Sequence, residues 1–335
     1  MKKSWLYALL VIAVIGATAC GGLACPSEAD ALRAAIVADY PAVDGSTSAH
    51  PLQRWVACDL LEVPCDWSAM TEENVQRTVI PDPAAQVSEA HAQAILDITH
   101  NGTHGSYMNL IEGAADVILV ARAPSEDELA AAEDLSVQLD ARPVALDAFV
   151  FMVNVENPVD DLSLETIQQI YIGEITTWDQ IGVTIPAGGD DQSIHAYQRN
   201  RNSGSQELME DLVMQDLAMT DAPELITSSM VGPLNAIGGN PWTGDGDVLG
   251  IGYSVYFYAN FMFPHEYVKL IAVEGVHPTS ENIASWLYPL TTEVFVAVRE
   301  GTPEDSSAVQ FRDWLFTPDG QAVIADSGYV PIDLQ

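Results

Sequence analysis

Short β-rich apolar runs alternate along this chain with stretches whose apolar residues have helical spacing, and this alternation most constrains the fold. The predicted strands are 115–121, 144–154, 193–199, 249–259 and 293–299. The predicted helices among them are 163–172, 207–217 and 307–316. Strands that alternate with helices predict an α/β protein. With 335 residues, the chain is long enough for one large domain or two of ordinary size.

The first 19 residues predict a signal peptide. A basic start, MKK, precedes a short apolar core and the sequence ATAC. Cleavage before Cys20 would give a lipoprotein with a lipid on that cysteine, although Ala17 stands where lipoproteins more often have Leu. Cleavage after ATA as a plain Ala-x-Ala site would give an unlipidated chain. Either outcome predicts export, and residues 20–39 are interpreted as a tether and a first helix.

Export permits disulfides, and the spacing of the cysteines favours one of them. Cys58 and Cys65 lie close together in the sequence and are predicted to pair. Cys25 has Cys20 as a partner only if Cys20 carries no lipid. No Cys-x-x-Cys motif occurs and the seven His are scattered, so we expect no metal and no cofactor.

The charge of the chain excludes nucleic acid as an expected partner. Asp and Glu number 48 against 12 Lys and Arg, which gives a formal net charge of -36. Phosphate backbones require basic surfaces. Nevertheless, Arg199 and Arg201 lie together in the stretch YQRNRNSGSQ, directly before a predicted helix.

Three predicted helices begin in a similar way, with small polar residues immediately before or at the first turn. The three starts are Gly45–Ser48 before Pro51, Thr103–Ser106, and Ser203–Ser205. In the helix that follows the third start, the residues on one apolar face are Leu208, Met209, Leu212, Val213 and Leu217. Helix N-termini carry free N–H groups and a partial positive charge. If the three starts converge, with an arginine beside them, they form an oxyanion site.

Each of these features has an ordinary structural alternative. Ser203 with Gln206 fits a capping box, and Ser48 and Ser106 could be simple helix caps. Arg199 and Arg201 could be surface residues paired with acids. The three histidines near the turns are expected at the surface or at the rim of a site; they are His50, His100 and His104.

Several motifs in order give the chain a resemblance to a known family. They are DGSTSAHPL, GAADVILVARAPSEDE, IYIGEITTW, YQRNRNSGSQ, GIGYSVYFY, PTSENIASWLYPL and GQAVIADSGYVPI. Together these motifs resemble the PstS-like periplasmic phosphate-binding proteins, which are the receptors of phosphate ABC importers. The resemblance implies a type II periplasmic-binding-protein fold with two α/β lobes, mixed sheets and a two-stranded hinge. It implies lobe 1 from 40–147 and 253–335, and lobe 2 from 148–252.

The resemblance also implies which residues bind the anion. They are Thr47, Ser48, Thr103, Arg122, Arg199, Ser203, Gly204 and Ser205. Arg122 departs from the family pattern, because better-studied members have an acidic residue there that accepts the proton of hydrogen phosphate. Arginine has no acceptor.

This departure has two interpretations. If Arg122 faces the anion, the site should favour the phosphate dianion, so affinity should rise with pH through the second pKa of phosphate, about 6 to 7. Discrimination against sulfate should then be weak. Alternatively, Arg122 turns outward or pairs with Glu126, and another carboxylate is the acceptor.

The predicted function is therefore that of an exported, lipid-anchored, monomeric binding protein for phosphate or a related oxyanion. Its implied partner is an ABC permease in the inner membrane, and its location is the periplasm or cell envelope. Sulfate as the ligand, or a surface or sensing protein without a transport role, stays open. An exported phosphatase or serine hydrolase is disfavoured, since the serines lack a Gly-x-Ser-x-Gly elbow and spacing assigns no base to them.

Overall fold

The computed structural model of this protein describes residues 27–201 and 203–333. The predicted signal peptide, Cys20 and Cys25 lie outside the described residues. Within the described ranges, none of the helices has the length and apolar character that crossing a bilayer requires.

Strands and helices alternate as the sequence predicts. The strands are β1 (Val43–Gly45), β2 (Cys65–Trp67), β3 (Val79–Pro81), β4 (Val117–Val120), β5 (Leu139–Asn154), β6 (Asp161–Leu162), β7 (His195–Ala196), β8 (Gln198–Arg199), β9 (Ile226–Thr227), β10 (Gly250–Val255), β11 (Val268–Leu270), β12 (Ala272–Val273), β13 (Thr291–Arg299) and β14 (Val330–Pro331). The α-helices are α1 (Glu28–Ala38), α2 (His50–Leu60), α3 (Glu89–Leu96), α4 (Gly102–Glu112), α5 (Glu126–Asp134), α6 (Leu164–Tyr171), α7 (Gly204–Leu208), α8 (Gly232–Gly238), α9 (Ser280–Ala284), α10 (Ser307–Leu315) and α11 (Pro318–Ser327). Two π-helical stretches cover Met209–Met214 and Tyr258–Met262.

The long strand β5 belongs to two groups of strands. As far as Ala148 it pairs antiparallel with β13, and β4 and β1 extend this group in the order β1-β4-β13-β5. From Phe149 onward it pairs antiparallel with β10, which also pairs with β7. Since β1–β4 and β7–β10 are parallel while the β5 pairs are antiparallel, both groups are mixed. We call the group around β4 lobe 1 and the group around β10 lobe 2.

The core lies on the faces of these two groups of strands. Strand β4 is buried along its whole length, and β5 is buried from Val144 to Asn154. A strand buried on both faces reads as a continuous apolar run, which is how the sequence predicted both strands. Helices cover the faces, and Trp314 of α10 and Trp178 are fully buried.

Several predicted elements differ in the structure. The predicted strand 193–199 is divided into β7 and β8, which pair with β10 and β9. The predicted strand 249–259 stops at Val255, which pairs with Phe149 of β5. Beyond this point β5 pairs with β13 of lobe 1, so the chain after Val255 has no partner strand in β5. The chain then coils into the π-helical stretch. The predicted helix 207–217 stops at Met214, since Gln215 has a φ of 53°. Leu217 is therefore outside the helix and exposed.

Candidate functional site

A cleft of about 550 Å³ lies where the two lobes meet, and it joins the three helix starts. The predicted residues that line it are Thr47, Ser48, Thr103, Arg199, Ser203, Gly204 and Ser205. The first three come from lobe 1 and the others from lobe 2. The tertiary structure thus brings together polar groups that are distant in sequence.

The first helix start places Thr47 and Ser48 at the cleft. Helix α2 begins after Ala49, which makes no side-chain cap, and Pro51 lies in the first turn. Ser48 is buried, with its hydroxyl 3.3 Å from that of Ser46. Ala49 is the N-cap residue, so the alternative in which Ser48 caps the helix does not hold. The backbone N–H of Ser46 donates to the carbonyl of Leu119 at 3.0 Å, which fixes the turn to β4.

The second start is also uncapped by a side chain. Helix α4 begins after Asn101, whose backbone and side-chain N–H groups both donate to Asp44, at 3.0 and 2.9 Å. Thr103 is buried in the first turn. Ser106 is not a cap either, because its hydroxyl donates to the carbonyl of Gly102 within the helix at 2.8 Å.

The third start packs directly against the second. The hydroxyl of Ser203 accepts a hydrogen bond from the N–H of Gln206 at 3.1 Å, so Ser203 caps the helix. The reciprocal half of the capping box is absent, because Oε1 of Gln206 accepts from the N–H of Arg199 at 3.2 Å instead. A Cβ added at Gly204 would lie 2.7 Å from Oγ1 of Thr103. Glycine at this position therefore lets the N-termini of α7 and α4 approach each other closely.

Arg199 supplies the positive charge of the cleft. Its side chain is buried, and its Nε donates to the carbonyl of Thr227 at 3.3 Å. Its backbone N–H donates to the hydroxyl of Tyr253 at 3.0 Å. Among the described residues it forms no ion pair, and burial lowers its pKa. A buried cation without an acidic partner is costly, and an anion in the cleft would compensate it.

Arg122 is the one predicted binding residue that does not line the cleft. Its guanidinium is buried and binds both carboxylate oxygens of Glu128, at 2.8 and 2.9 Å. It also forms an ion pair with Glu207 of α7. Neither an outward orientation nor pairing with Glu126 is observed, because two carboxylates hold the group between the lobes.

Several other residues that line the cleft were not predicted from the sequence to contact the ligand. They are Ser46, Gln76, His100, Asn101, Asn200, Ser228, Ser229 and Tyr258. The motif ITSSMVGPL was a usable signal for part of this set, since its serines precede α8 in the same way as at the other three starts. The positions of Gln76 and Tyr258 in the lining of the cleft depend on tertiary packing alone.

The three histidines have different environments. His50 is buried, not at the surface as expected, and burial lowers its pKa to about 4. His100 lines the cleft with its ring stacked at a tilt against that of His50, at 4.9 Å between centroids. His104 lies 3.1 Å from Glu128, and about half of its side chain is exposed.

The predicted disulfide is confirmed. Cys58 and Cys65 are bonded, with their Cα atoms 6.2 Å apart. The bond links the last turn of α2 to strand β2. Helix α2 begins at the cleft, and the disulfide holds the opposite end of the same helix.

Comparisons with known proteins agree with this architecture. The chain is 26% identical to the phosphate-binding protein PstS of Staphylococcus haemolyticus over 245 residues, which are 72% of this chain and 73% of that protein. It is 25% identical to the phosphate-binding protein PstS of Pseudomonas aeruginosa over 241 residues, 67% of this chain and 70% of that protein.

A solved structure gives the same result for the fold. An ABC-type phosphate transport receptor from Vibrio cholerae superposes with a TM-score of 0.57, covering 86% of this chain and 98% of that chain at 22% sequence identity. The predicted type II periplasmic-binding-protein fold is therefore confirmed. A family model described as a PBP superfamily domain matches residues 73–319. This chain belongs to the PBP superfamily.

Proposed function

We propose that this protein captures inorganic phosphate in the cleft between its lobes and delivers it to an ABC importer. The observation that carries the proposal is Arg199, a buried cation at the meeting point of three helix starts that forms no ion pair with any described residue. Helix N-termini and a guanidinium together suit a tetrahedral oxyanion. The relatives named above are phosphate-binding proteins, which favours phosphate among such anions.

The ligand contacts in this proposal follow the resemblance. Thr47, Thr103 and Ser205 donate from hydroxyl groups, and Ser48 and Gly204 from the backbone. Ser203 contributes although its hydroxyl already accepts a bond within α7. Arg199 adds two fixed donors. In this proposal Arg122 does not contact the anion but acts through Glu207.

The proposal includes the setting of the protein. We expect an exported monomer whose lobes divide at 147/148 and 252/253 and close around the ligand by a hinge motion. We expect Cys20 to carry a lipid that anchors the chain, and an inner-membrane permease to receive the phosphate. Mass spectrometry of the mature chain decides the lipid, because an unmodified N-terminus at Cys20 excludes it.

A thermal-shift screen tests ligand binding. Protein stripped of ligand is heated with phosphate, sulfate, arsenate, molybdate or tungstate. A ligand at a hundred times its dissociation constant should add roughly 2.7 kcal/mol to the free energy of unfolding. Stabilisation by phosphate that Arg199→Met abolishes supports the proposal, and the absence of stabilisation by any of these anions contradicts it.

Binding without catalysis is part of the proposal. Within the described residues, no histidine is hydrogen-bonded to Ser203 or Ser205, so neither hydroxyl has the base that an activated nucleophile needs. A phosphate monoester turnover assay tests this point. Turnover that is lost in Ser205→Ala would contradict it.

A further inference from the structure

Selection of phosphate over sulfate requires a hydrogen-bond acceptor in the site. Near neutral pH bound phosphate carries at least one proton on oxygen, whereas sulfate carries none. A group that accepts from that proton therefore stabilises phosphate alone. Among the described residues that line the cleft there is no carboxylate.

The nearest carboxylates are already engaged. Glu128 and Glu207 both bind Arg122. Asp44 accepts hydrogen bonds from Asn101 and from the side chain of Asn109, the latter at 2.7 Å. None of the three is among the residues that line the cleft.

Two amide oxygens in the cleft have partners. Oε1 of Gln76 accepts from the hydroxyl of Tyr258 at 3.1 Å. Oδ1 of Asn200 lies 3.5 Å from a guanidinium nitrogen of Arg199. These contacts hold Gln76 and Asn200 in the walls of the cleft.

The imidazole of His100 has the required chemistry and position. The ring lines the cleft, and its Nδ1 lies 3.4 Å from Oγ1 of Thr47, one of the hydroxyls assigned to the anion. Nε2 has no hydrogen-bond partner among the described residues. When Nδ1–H donates to Thr47, Nε2 carries a free lone pair that can accept a proton donor.

The surroundings of His100 keep the ring neutral. Burial lowers its pKa, Asp44 of β1 raises it, and Arg54 of α2 lowers it. His50 of α2 stacks on the ring, and its own pKa is about 4. From lobe 2, Arg199 is the charged residue that lines the same cleft. A neutral imidazole is an acceptor, and a protonated one is only a donor.

We propose that His100 accepts the hydrogen bond from the protonated oxygen of bound phosphate and thereby discriminates against sulfate. This inference rests on the proposed function, because it assigns the proton acceptor within that same site. The expectation that phosphate affinity rises with pH assumed that Arg122 faces the anion. Since Arg122 lies outside the cleft, the role of His100 takes the place of that expectation. Thr47 acts with His100, since its hydroxyl can accept from Nδ1–H and leave Nε2 as the acceptor.

Calorimetry with inorganic phosphate and with sulfate tests the inference. We expect His100→Phe to weaken phosphate binding at pH 7.5 by about tenfold or more, the cost of leaving a buried donor unpaired. Sulfate binding should change less than threefold. His100→Gln keeps an oxygen acceptor and should recover part of the phosphate affinity. His91→Phe, an exposed position on α3, is the matched control and should alter neither affinity.

A second measurement uses the unmodified protein. As the pH falls through the lowered pKa of His100, the imidazole becomes a donor, so sulfate affinity should rise at the acid end. The rise should be absent in His100→Gln. The comparison of wild type with His100→Gln tests the role of this side chain even if His100→Phe does not fold.

The outcomes separate the inference from the proposed function. A wild-type protein that binds no oxyanion contradicts both. A wild-type protein that binds phosphate, with phosphate and sulfate weakened equally in His100→Phe, overturns only the inference. An unchanged phosphate affinity in that variant overturns it as well.

Discussion

Arg122 of lobe 1 forms an ion pair with Glu207 of lobe 2, so one guanidinium spans the interface between the lobes. Glu128 of α5 holds the same guanidinium from the lobe 1 side with two hydrogen bonds. Arg122 is thus fixed within its own lobe, and only the contact with Glu207 depends on the relative position of the lobes. The pair therefore stabilises this arrangement of the cleft.

Glu207→Gln should weaken phosphate binding without removing any residue that lines the cleft. The open form gains population when the ion pair is lost, and the apparent affinity falls with the fraction of closed protein. We expect a loss of about 1 kcal/mol, roughly fivefold in the dissociation constant, because Arg122 retains Glu128. Calorimetry measures the affinity, and small-angle scattering measures the closed fraction. Asp211→Asn, an exposed change in the same helical segment, is the control; an equal effect there would contradict the prediction.

Arg199→Met should remove most of the oxyanion affinity, because a buried charge-assisted contact is lost. We expect a loss of at least about 2 kcal/mol in binding free energy. Arg201→Met should have a much smaller effect, since Arg201 is exposed and does not line the cleft. Both variants lose one positive charge, so calorimetry of the pair separates a local contact from a general electrostatic effect. Similar losses in the two variants would refute the site.

Reduction of the disulfide, or Cys58→Ser together with Cys65→Ser, should lower the free energy of unfolding. Chain-entropy arithmetic gives roughly 2.5 kcal/mol for a ring of this size. Urea unfolding of the oxidised and reduced forms measures the difference. Phosphate affinity should stay within about twofold, because the bond lies at the end of α2 remote from the cleft. A stability difference below 0.5 kcal/mol, as typical of surface changes, would count against this role.

Ionisation of the buried carboxyl group of Asp147 should lower the free energy of unfolding as the pH rises. Burial raises the pKa of its carboxyl group to about 7, while hydrogen bonds from the N–H groups of Phe257 and Ala148 lower it. The folded state therefore holds a proton that the unfolded state releases near pH 4, and the stability from this group is lost between about pH 4 and pH 7. The upper limit of the loss is about 4 kcal/mol.

Asp147→Asn tests that dependence. Asparagine keeps an oxygen for both N–H groups and carries no charge, so the variant should gain stability relative to wild type as the pH rises from 5 to 8. Urea unfolding at several pH values measures the difference. Asp216→Asn, an exposed position, should show no such trend. A constant difference between Asp147→Asn and wild type would show that the carboxyl group does not titrate in this range.

The sequence by itself determined the fold class and much of the site. The alternation of apolar runs with helical patterns identified β4, β5, β13, α6 and α10, because burial on both faces and helical periodicity leave strong local signals. The three helix starts were visible because Gly, Ser and Thr before a helical pattern are a local signal, although the same residues also serve as ordinary caps. The spacing of Cys58 and Cys65 was sufficient to predict their bond.

Only the tertiary structure decided which residues meet. The strand prediction continued past Val255 because the end of a strand is set by its partner, which is not adjacent in sequence. The ion pair between Arg122 and Glu207 joins residues 85 positions apart and in different lobes. His100 became a candidate acceptor only when the cleft was seen to have no carboxylate in its described lining. Local patterns encode burial and capping, whereas the pairing of charges across two lobes depends on distances that only the folded chain defines.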